Sequence, residues 1–297
     1  LLPDPVRRDV ERALQELTGS HHIASATPVG GGCINNGLHV HTDADSSFFL
    51  KWNDRAPVEM FAREAEGLGR LRSVDAVVVP EPIAFGGDDA SPSWLLMEYV
   101  PSGPGSAEAD WRLGHGLAKI HAHHDGETFG LAIDNWIGSL PQPNKPSGSW
   151  GEFWRDQRII PQLTAARERG HLVDPLMDRV VDVIPMALSD VTRPRLVHGD
   201  LWSGNTYVTR GDQPVLVDPA VYFGDGEVDL AMSELFGGFG RDFYDAYEAL
   251  IPVSHDYHGY RRELYQLYYL LVHVNLFGPS YLAATRRAAE QVLTALQ

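Results

Sequence analysis

The sequence predicts an α+β fold in two lobes: a small antiparallel-sheet lobe with a helix over residues 1–100, and a mainly helical lobe over residues 101–297. Three observations carry this. Strand-like and helix-like patterns alternate through the first hundred residues. A Pro/Gly/Ser-rich stretch at 101–106 then interrupts them, as a connector would. Beyond it the apolar residues recur at helical spacing, apart from one short hairpin.

Val6, Val10, Leu14 and Leu17 predict a first helix over 5–17. Gly30, Gly31 and Gly32 break the chain, and two strands follow, 37–40 and 47–52, as a hairpin turning at Asp43-Ala44-Asp45. A helix is expected over 58–71, with strands at 77–79 and 94–97. In the second lobe helices are expected over 111–124, 150–169, 176–188, 229–236, 244–251 and 260–276, with a surface loop at 141–146. Residues 205–209 and 214–218 read as a hairpin turning at Gly211-Asp212.

The chain has 297 residues, with 24 Lys plus Arg against 40 Asp plus Glu, a net charge of −16. Such a surface repels phosphate backbones and anionic membranes, so neither nucleic acid nor a membrane is an expected partner. The single cysteine, Cys33, excludes an intramolecular disulfide and a cysteine-based zinc site, and it fits a cytoplasmic setting. Residues 1–5 show no basic region leading into an apolar run, so no signal peptide is expected.

The chemistry concentrates in residues 196–205, LVHGDLWSGN, which hold His198, Asp200 and Asn205; Asp218 closes the next hairpin thirteen residues on. This is the spacing of a phosphoryl-transfer centre of the protein-kinase type. There a loop Asp accepts the proton of the attacking hydroxyl, while an Asn and a second Asp hold magnesium across the nucleotide phosphates. Magnesium is a hard cation that takes oxygen ligands, and the transferring phosphoryl group needs its charge neutralised as the bond breaks. Asp200 is therefore the expected base, and Asn205 and Asp218 the expected magnesium ligands.

Lys51, on a strand, is suited to reach ATP phosphates, with Glu64 on the following helix as its expected partner and Glu66, then Glu59, as alternatives. Gly31 and Gly32 could let backbone N–H groups approach phosphate. Met97 and Glu98, at the end of the strand before the connector, are further candidates for the nucleotide site. No GxxxxGK[ST] occurs, which excludes a P-loop NTPase.

HGDLWSGN, the block Val217-Asp218-Pro219-Ala220 and the run at 222–232, YFGDGEVDLAM, resemble the fructosamine kinase family, a branch of the protein-kinase-like fold related to aminoglycoside phosphotransferases and choline kinases. The likeness extends over nearly the whole chain, including Gly31-Gly32-Cys33-Ile34, residues 61–68, NWIGSLPQPN at 135–144, LFGGF at 235–239 and residues 265–278. It implies ATP- and magnesium-dependent phosphorylation of the 3-hydroxyl of ketosamines, ribulosamine or fructosamine adducts on small molecules or proteins, as a deglycation step. It also implies that His273 faces the sugar.

Trp202, two residues past the base, could pack on the sugar face or belong to the core. Glu227 and Asp229 could bind sugar hydroxyls or the substrate amine, with bracing of the catalytic loop the favoured role for Asp229. His121, His123 and His124 are read as histidines beside the free carbonyls of a helix C-terminus rather than metal ligands. Cys33 is a candidate reactive thiol, and a disulfide-linked dimer through it is the alternative to a monomer. The competing functions are a kinase acting on an aminoglycoside or a choline-like alcohol, and a nucleotide-binding module without turnover.

Overall fold

A computed structural model describes residues 2–19, 22–30, 35–88, 91–123, 126–171 and 173–297. The chain divides into two units, 1–109 with 204–219, and 110–203 with 220–297.

The first unit is built on a five-stranded antiparallel sheet of order β1-β2-β3-β5-β4. Helix α1 (Asp4–Thr18) precedes β1 (Ile23–Pro28), β2 (Asn36–Thr42) and β3 (Ser47–Asn53); α2 (Val58–Ser73) leads to β4 (Pro82–Asp88) and β5 (Ser91–Glu98). Side chains alternate across a strand, so the sheet has two distinct faces. One face packs Leu38, Val40, Leu50, Trp94 and Leu96 against Val6, Val10 and Leu14 of α1. The other follows the register: Gly37 pairs with Lys51 and Lys51 with Leu95, while His39 pairs with Phe49 and Phe49 with Met97. Apolar alternation thus commits Leu38, Val40 and Leu50 to α1 and turns Lys51 to the opposite face.

The expected strand at 77–79 does not join this sheet. Val78 instead makes a single parallel bridge to Val215. Pro80 and Pro82 follow at once, and a proline cannot donate to a ladder. Strand β1 was not expected, because IASATP lacks an alternating apolar pattern. The hairpin β9 (Thr206–Val208) and β10 (Pro214–Leu216) packs with this unit, and the Tyr207 hydroxyl donates to the Val100 carbonyl at 3.1 Å.

The second unit is helical. It contains α3 (Ala107–Ala122) from residue 110 onward, the hairpin β6 (Asn135–Ile137) and β7 (Leu140–Gln142), α4 (Trp150–Phe153), α5 (Ile160–Glu168) and α6 (Leu176–Ala187). Residues Trp154–Ile159 are π-helical and continuous with α4 and α5, so the expected 150–169 helix is present as one helical run with a widened middle. Strand β8 (Arg195–Val197) pairs with β11 (Tyr222–Gly224), and α7 (Glu227–Leu235), α8 (Arg241–Glu248), α9 (Arg262–Phe277) and α10 (Leu282–Ala295) follow. Helix α10 was not expected: its buried face relies on Thr285, Ala288 and Ala289 as well as Val292 and Leu293, a weak periodic signal.

The core of this unit is aromatic. Trp150 stacks on Phe153 at 5.6 Å, Trp154 meets Tyr265 edge-on at 5.0 Å, and the Arg158 guanidinium lies 4.0 Å above the Tyr222 ring. Two expectations are corrected here. Residues 141–146 are a surface loop only in part: Pro141, Lys145 and Pro146 are exposed, but Gln142 ends a strand and it and Asn144 are fully buried. His121 does not cap helix carbonyls: it is buried and bonds to Asp229 and Tyr247. His124 lies outside the described residues.

Candidate active site

Within the first unit, Lys51 is the centre. Its Nζ donates to Glu64 Oε1 and to Asp218 Oδ1, each at 2.6 Å. The lysine is 5% exposed. Burial works against its charge, yet the two carboxylates outweigh it and hold the ammonium pKa above the ordinary lysine value. Glu64 is therefore the carboxylate that meets the lysine. Glu66 is engaged by Arg63 at 2.8 Å and Arg70 at 2.9 Å, and Glu59 is exposed. The helical register explains the choice: Met60, Phe61, Ala65 and Leu68 are the buried face of α2, and Glu64 borders it.

Asp218 has a left-handed backbone, φ 56°. The Val217 N–H donates to the Asn205 carbonyl at 3.0 Å, so the ends of the β9–β10 hairpin bring Asn205 and Asp218 together. Asn205 is buried, whereas the Asp218 side chain is 37% exposed. Asp218 keeps a second carboxylate oxygen beyond the one on Lys51, and Asn205 offers an amide oxygen. Two oxygen donors of this kind suit magnesium, which completes its shell with phosphate and water. Among the described residues no group of three His, Cys, Asp or Glu side chains is arranged to hold a metal by itself.

Met97 lies on the Lys51 face of the sheet, one pair along the strand, and is buried. Glu98 is exposed; its N–H donates to the Glu81 carbonyl at 2.8 Å and its carboxylate accepts from the Glu81 N–H at 3.2 Å. Gly31, Gly32 and Cys33 lie outside the described residues.

Within the second unit, the loop bearing Asp200 leaves β8 and is held from below by Asp229. The Asp229 carboxylate accepts from the backbone N–H of His198 at 2.7 Å and of Gly199 at 2.9 Å. His121 Nε2 donates to the same carboxylate at 3.0 Å, leaving Nδ1 to accept from the Tyr247 hydroxyl at 2.8 Å. Asp229 thus braces the loop. Gly199 has φ +82°, and a Cβ there would stand 2.2 Å from the Ala220 carbonyl oxygen, so only glycine fits. The Ala220 N–H donates to the His198 carbonyl at 2.9 Å and the Tyr269 hydroxyl to the Gly199 carbonyl at 2.8 Å.

Trp202 is half-buried. His273 Nδ1 bonds the Tyr269 carbonyl at 2.8 Å, and its ring packs on Phe236 at 4.4 Å; burial lowers its pKa, so the imidazole is neutral at pH 7. Glu227 is buried at the start of α7, accepting from the Ser254 N–H at 2.6 Å and the Ser254 hydroxyl at 3.0 Å. Burial and the neighbouring Asp225 push its pKa up to about 7. It lines a cavity of about 220 Å³ with Asp190, Arg195, Asp225, Tyr247 and Arg261. Sequence reasoning gave no role to Gln142, Asn135, Tyr268 and Tyr269; their one signal was that they fall inside blocks that resemble the family.

Comparison with known proteins agrees with this geometry. The family model described as fructosamine kinase matches residues 6–295. A Synechocystis sp. protein named "Probable ketoamine kinase" is 39% identical over 287 residues, 96% of each chain. The chloroplastic protein-ribulosamine 3-kinase of Arabidopsis thaliana is 38% identical, covering 99% of this chain and 89% of that one. The crystal structure of a Haemophilus somnus protein described as a fructosamine-3-kinase superposes with a TM-score of 0.88 at 29% identity, over 96% of each chain. The fold is the protein-kinase-like one that aminoglycoside phosphotransferases also have, at 17% identity. A family match over nearly the full length, together with relatives of 38–39% identity along most of the chain, places this protein in the fructosamine kinase family.

Proposed function

We propose that the protein transfers the γ-phosphoryl group of ATP to the 3-hydroxyl of a ketosamine, a ribulosamine or fructosamine adduct on a small molecule or a protein. The observation that carries the reading is the Lys51 ammonium held 2.6 Å from both Glu64 and Asp218, the ion-pair arrangement expected around nucleotide phosphates. Lys51, fixed by Glu64, grips the phosphates, with Gly31 and Gly32 approaching them through backbone N–H groups. Met97 and Glu98 border the base. These roles fall in an ATP-binding lobe of residues 1–100, and the substrate-handling roles in a C-lobe of residues 101–297.

Asp200 orients the sugar hydroxyl and takes its proton late in the transfer. Such a base needs position more than a shifted pKa, and the Asp229 brace on the two preceding backbone amides supplies position. Asn205 and Asp218 would hold magnesium, which neutralises charge developing on the phosphates. Trp202, His273 and Glu227 are the proposed substrate contacts. A neutral His273 suits a sugar hydroxyl, since one ring nitrogen already bonds the Tyr269 carbonyl.

The protein-ribulosamine 3-kinase relative favours ketosamines over aminoglycosides or choline as acceptors. A cytoplasmic monomer completes the reading, with a Cys33-linked dimer as the alternative. Among the described residues no helix is long and apolar enough to cross a membrane. The test is magnesium-dependent ATP consumption against ribulosamines, fructosamines, an aminoglycoside and choline. Turnover is expected on a ketosamine and is expected to fall at least about 10³-fold in Asp200→Asn, with ATP affinity kept. Turnover on the aminoglycoside or choline alone would discard the substrate class, and retained turnover in Asp200→Asn would discard the base.

A further inference from the structure

A buried polar network in the helical unit ends on the backbone that follows Asp218. Gln142, at the end of β7 and fully buried, donates from Nε2 to the Ala220 carbonyl at 3.1 Å and to Asn135 Oδ1 at 2.7 Å. Its Oε1 accepts from the Tyr268 hydroxyl at 2.7 Å. Asn135 in turn donates to the Val221 carbonyl at 2.8 Å. Behind them Asn144 donates to Asn135 Oδ1 at 2.7 Å and accepts from Arg158 at 2.7 Å. The amide of Gln142 therefore has partners at both its N and its O, and two consecutive carbonyls after Pro219 are held by side chains from one hairpin.

Filling this space alone would not need polar groups. Apolar side chains of similar volume fill a core without the desolvation cost of amides. What amides add is direction, because each bond fixes one backbone atom. The atoms fixed here are informative. Ala220 stands two residues after Asp218, and Pro219 between them has its φ locked, so the tether is short and stiff. Asp218 itself sits in a left-handed conformation, φ 56°, less favourable than the right-handed one for a residue with a Cβ, so a fixed neighbouring backbone helps to hold it. Tyr269, beside Tyr268 on α9, gives the same support to the loop before Asp200 through the Gly199 carbonyl.

We propose that Gln142, oriented by Tyr268, is a positioning residue for the metal-holding loop: by gripping the Ala220 carbonyl it fixes the backbone that presents the Asp218 carboxylate to magnesium. This rests on the reading of Asp218 as a magnesium ligand. Partners one step behind a ligand typically change metal affinity or activity 10–100-fold when removed.

The test uses the full chain carrying Gln142→Met, which keeps the volume and removes both polar ends of the amide, and Tyr268→Phe, which removes only the hydroxyl behind Gln142. Calorimetry with a non-hydrolysable ATP analogue gives the magnesium concentration for half-maximal binding, and hydrogen exchange gives the protection of the Ala220 amide. Gln142→Met is expected to raise the magnesium requirement at least about tenfold and to speed exchange at Ala220 while exchange in α9 stays unchanged. Tyr268→Phe is expected to act in the same direction by a smaller factor, and it carries the test if Gln142→Met fails to fold. The ketosamine KM is expected to stay within about twofold in both. An unchanged magnesium requirement, or faster exchange spread evenly over the unit, overturns the proposal and leaves Gln142 a packing residue. Wild-type binding of the analogue that ignores magnesium removes the metal role of Asp218 itself, a separate failure visible before any variant is made.

Discussion

Lys51 shows how one side chain gathers a site. Its ammonium is buried, a position that would be costly for a lone charge, and it is tolerated because two carboxylates close on it at 2.6 Å. The two are not equivalent. Glu64 is shut in beside the lysine, whereas the Asp218 side chain is 37% exposed and can exchange its place on the ammonium for a cation and phosphate. Asp218→Ala is therefore expected to leave the fold intact, since Glu64 still neutralises Lys51, and to weaken magnesium-dependent nucleotide binding by about 10–100-fold. Calorimetry with and without magnesium checks this; equal affinity in variant and wild type would remove Asp218 from the metal site. The Lys51–Glu64 pair was legible beforehand, because the thirteen-residue step from a strand lysine to a helix carboxylate is a local pattern, whereas the ion pair from Lys51 to Asp218 spans 167 residues and only the structure shows it. The role of His121 was not, since its partners Asp229 and Tyr247 are 108 and 126 residues away.

At the scale of elements, the Asp200 loop is a backbone held by other backbones and side chains. Asp229 grips its amides, Ala220 pairs with His198, and Tyr269 takes the Gly199 carbonyl. Gly199 is where these constraints meet, with positive φ and a carbonyl oxygen 2.2 Å from where a Cβ would stand. Gly199→Ala is thus expected to cost roughly 1–3 kcal/mol of stability and to lower kcat more than it raises KM. Thermal unfolding with steady-state kinetics tests it; a variant of wild-type stability and kcat would show that the loop can move aside. The sequence announced this loop and Asp229 as its brace, but not the support it receives from Gln142 and Tyr269. Residues 141–146, PQPNKP, read as a surface loop because Pro, Gln, Asn and Lys are turn and surface residues. Burial of Gln142 and Asn144 becomes favourable only once Arg158, Tyr268 and the Ala220 carbonyl supply partners.

Across the molecule, the buried carboxylates include the Asp225–Glu227 pair at the start of α7. The Glu227 pKa stands at about 7 against 4.5 for an unburied carboxyl, so the folded state binds the proton more tightly than the unfolded chain. Its contribution to stability is then fully present below about pH 4.5 and is lost as pH rises through about 7. Glu227→Gln, which keeps size and removes the titration, is expected to gain stability relative to wild type at pH 7.5 compared with pH 5. Unfolding midpoints at the two pH values check this, and an identical offset at both would assign the shift elsewhere. By itself the sequence determined the fold class and singled out Lys51, Asp200, Asn205 and Asp218 as the candidate set. These are written in short-range periodicity and in spacings along one loop and one hairpin, which chain connectivity enforces. Only the tertiary structure decided that His121 backs the Asp229 brace, that Glu227 is buried beside Asp225, and that Gln142 holds Ala220 from 78 residues away. Those outcomes depend on which polar groups lose water together, and that is set by packing of distant segments rather than by any local pattern.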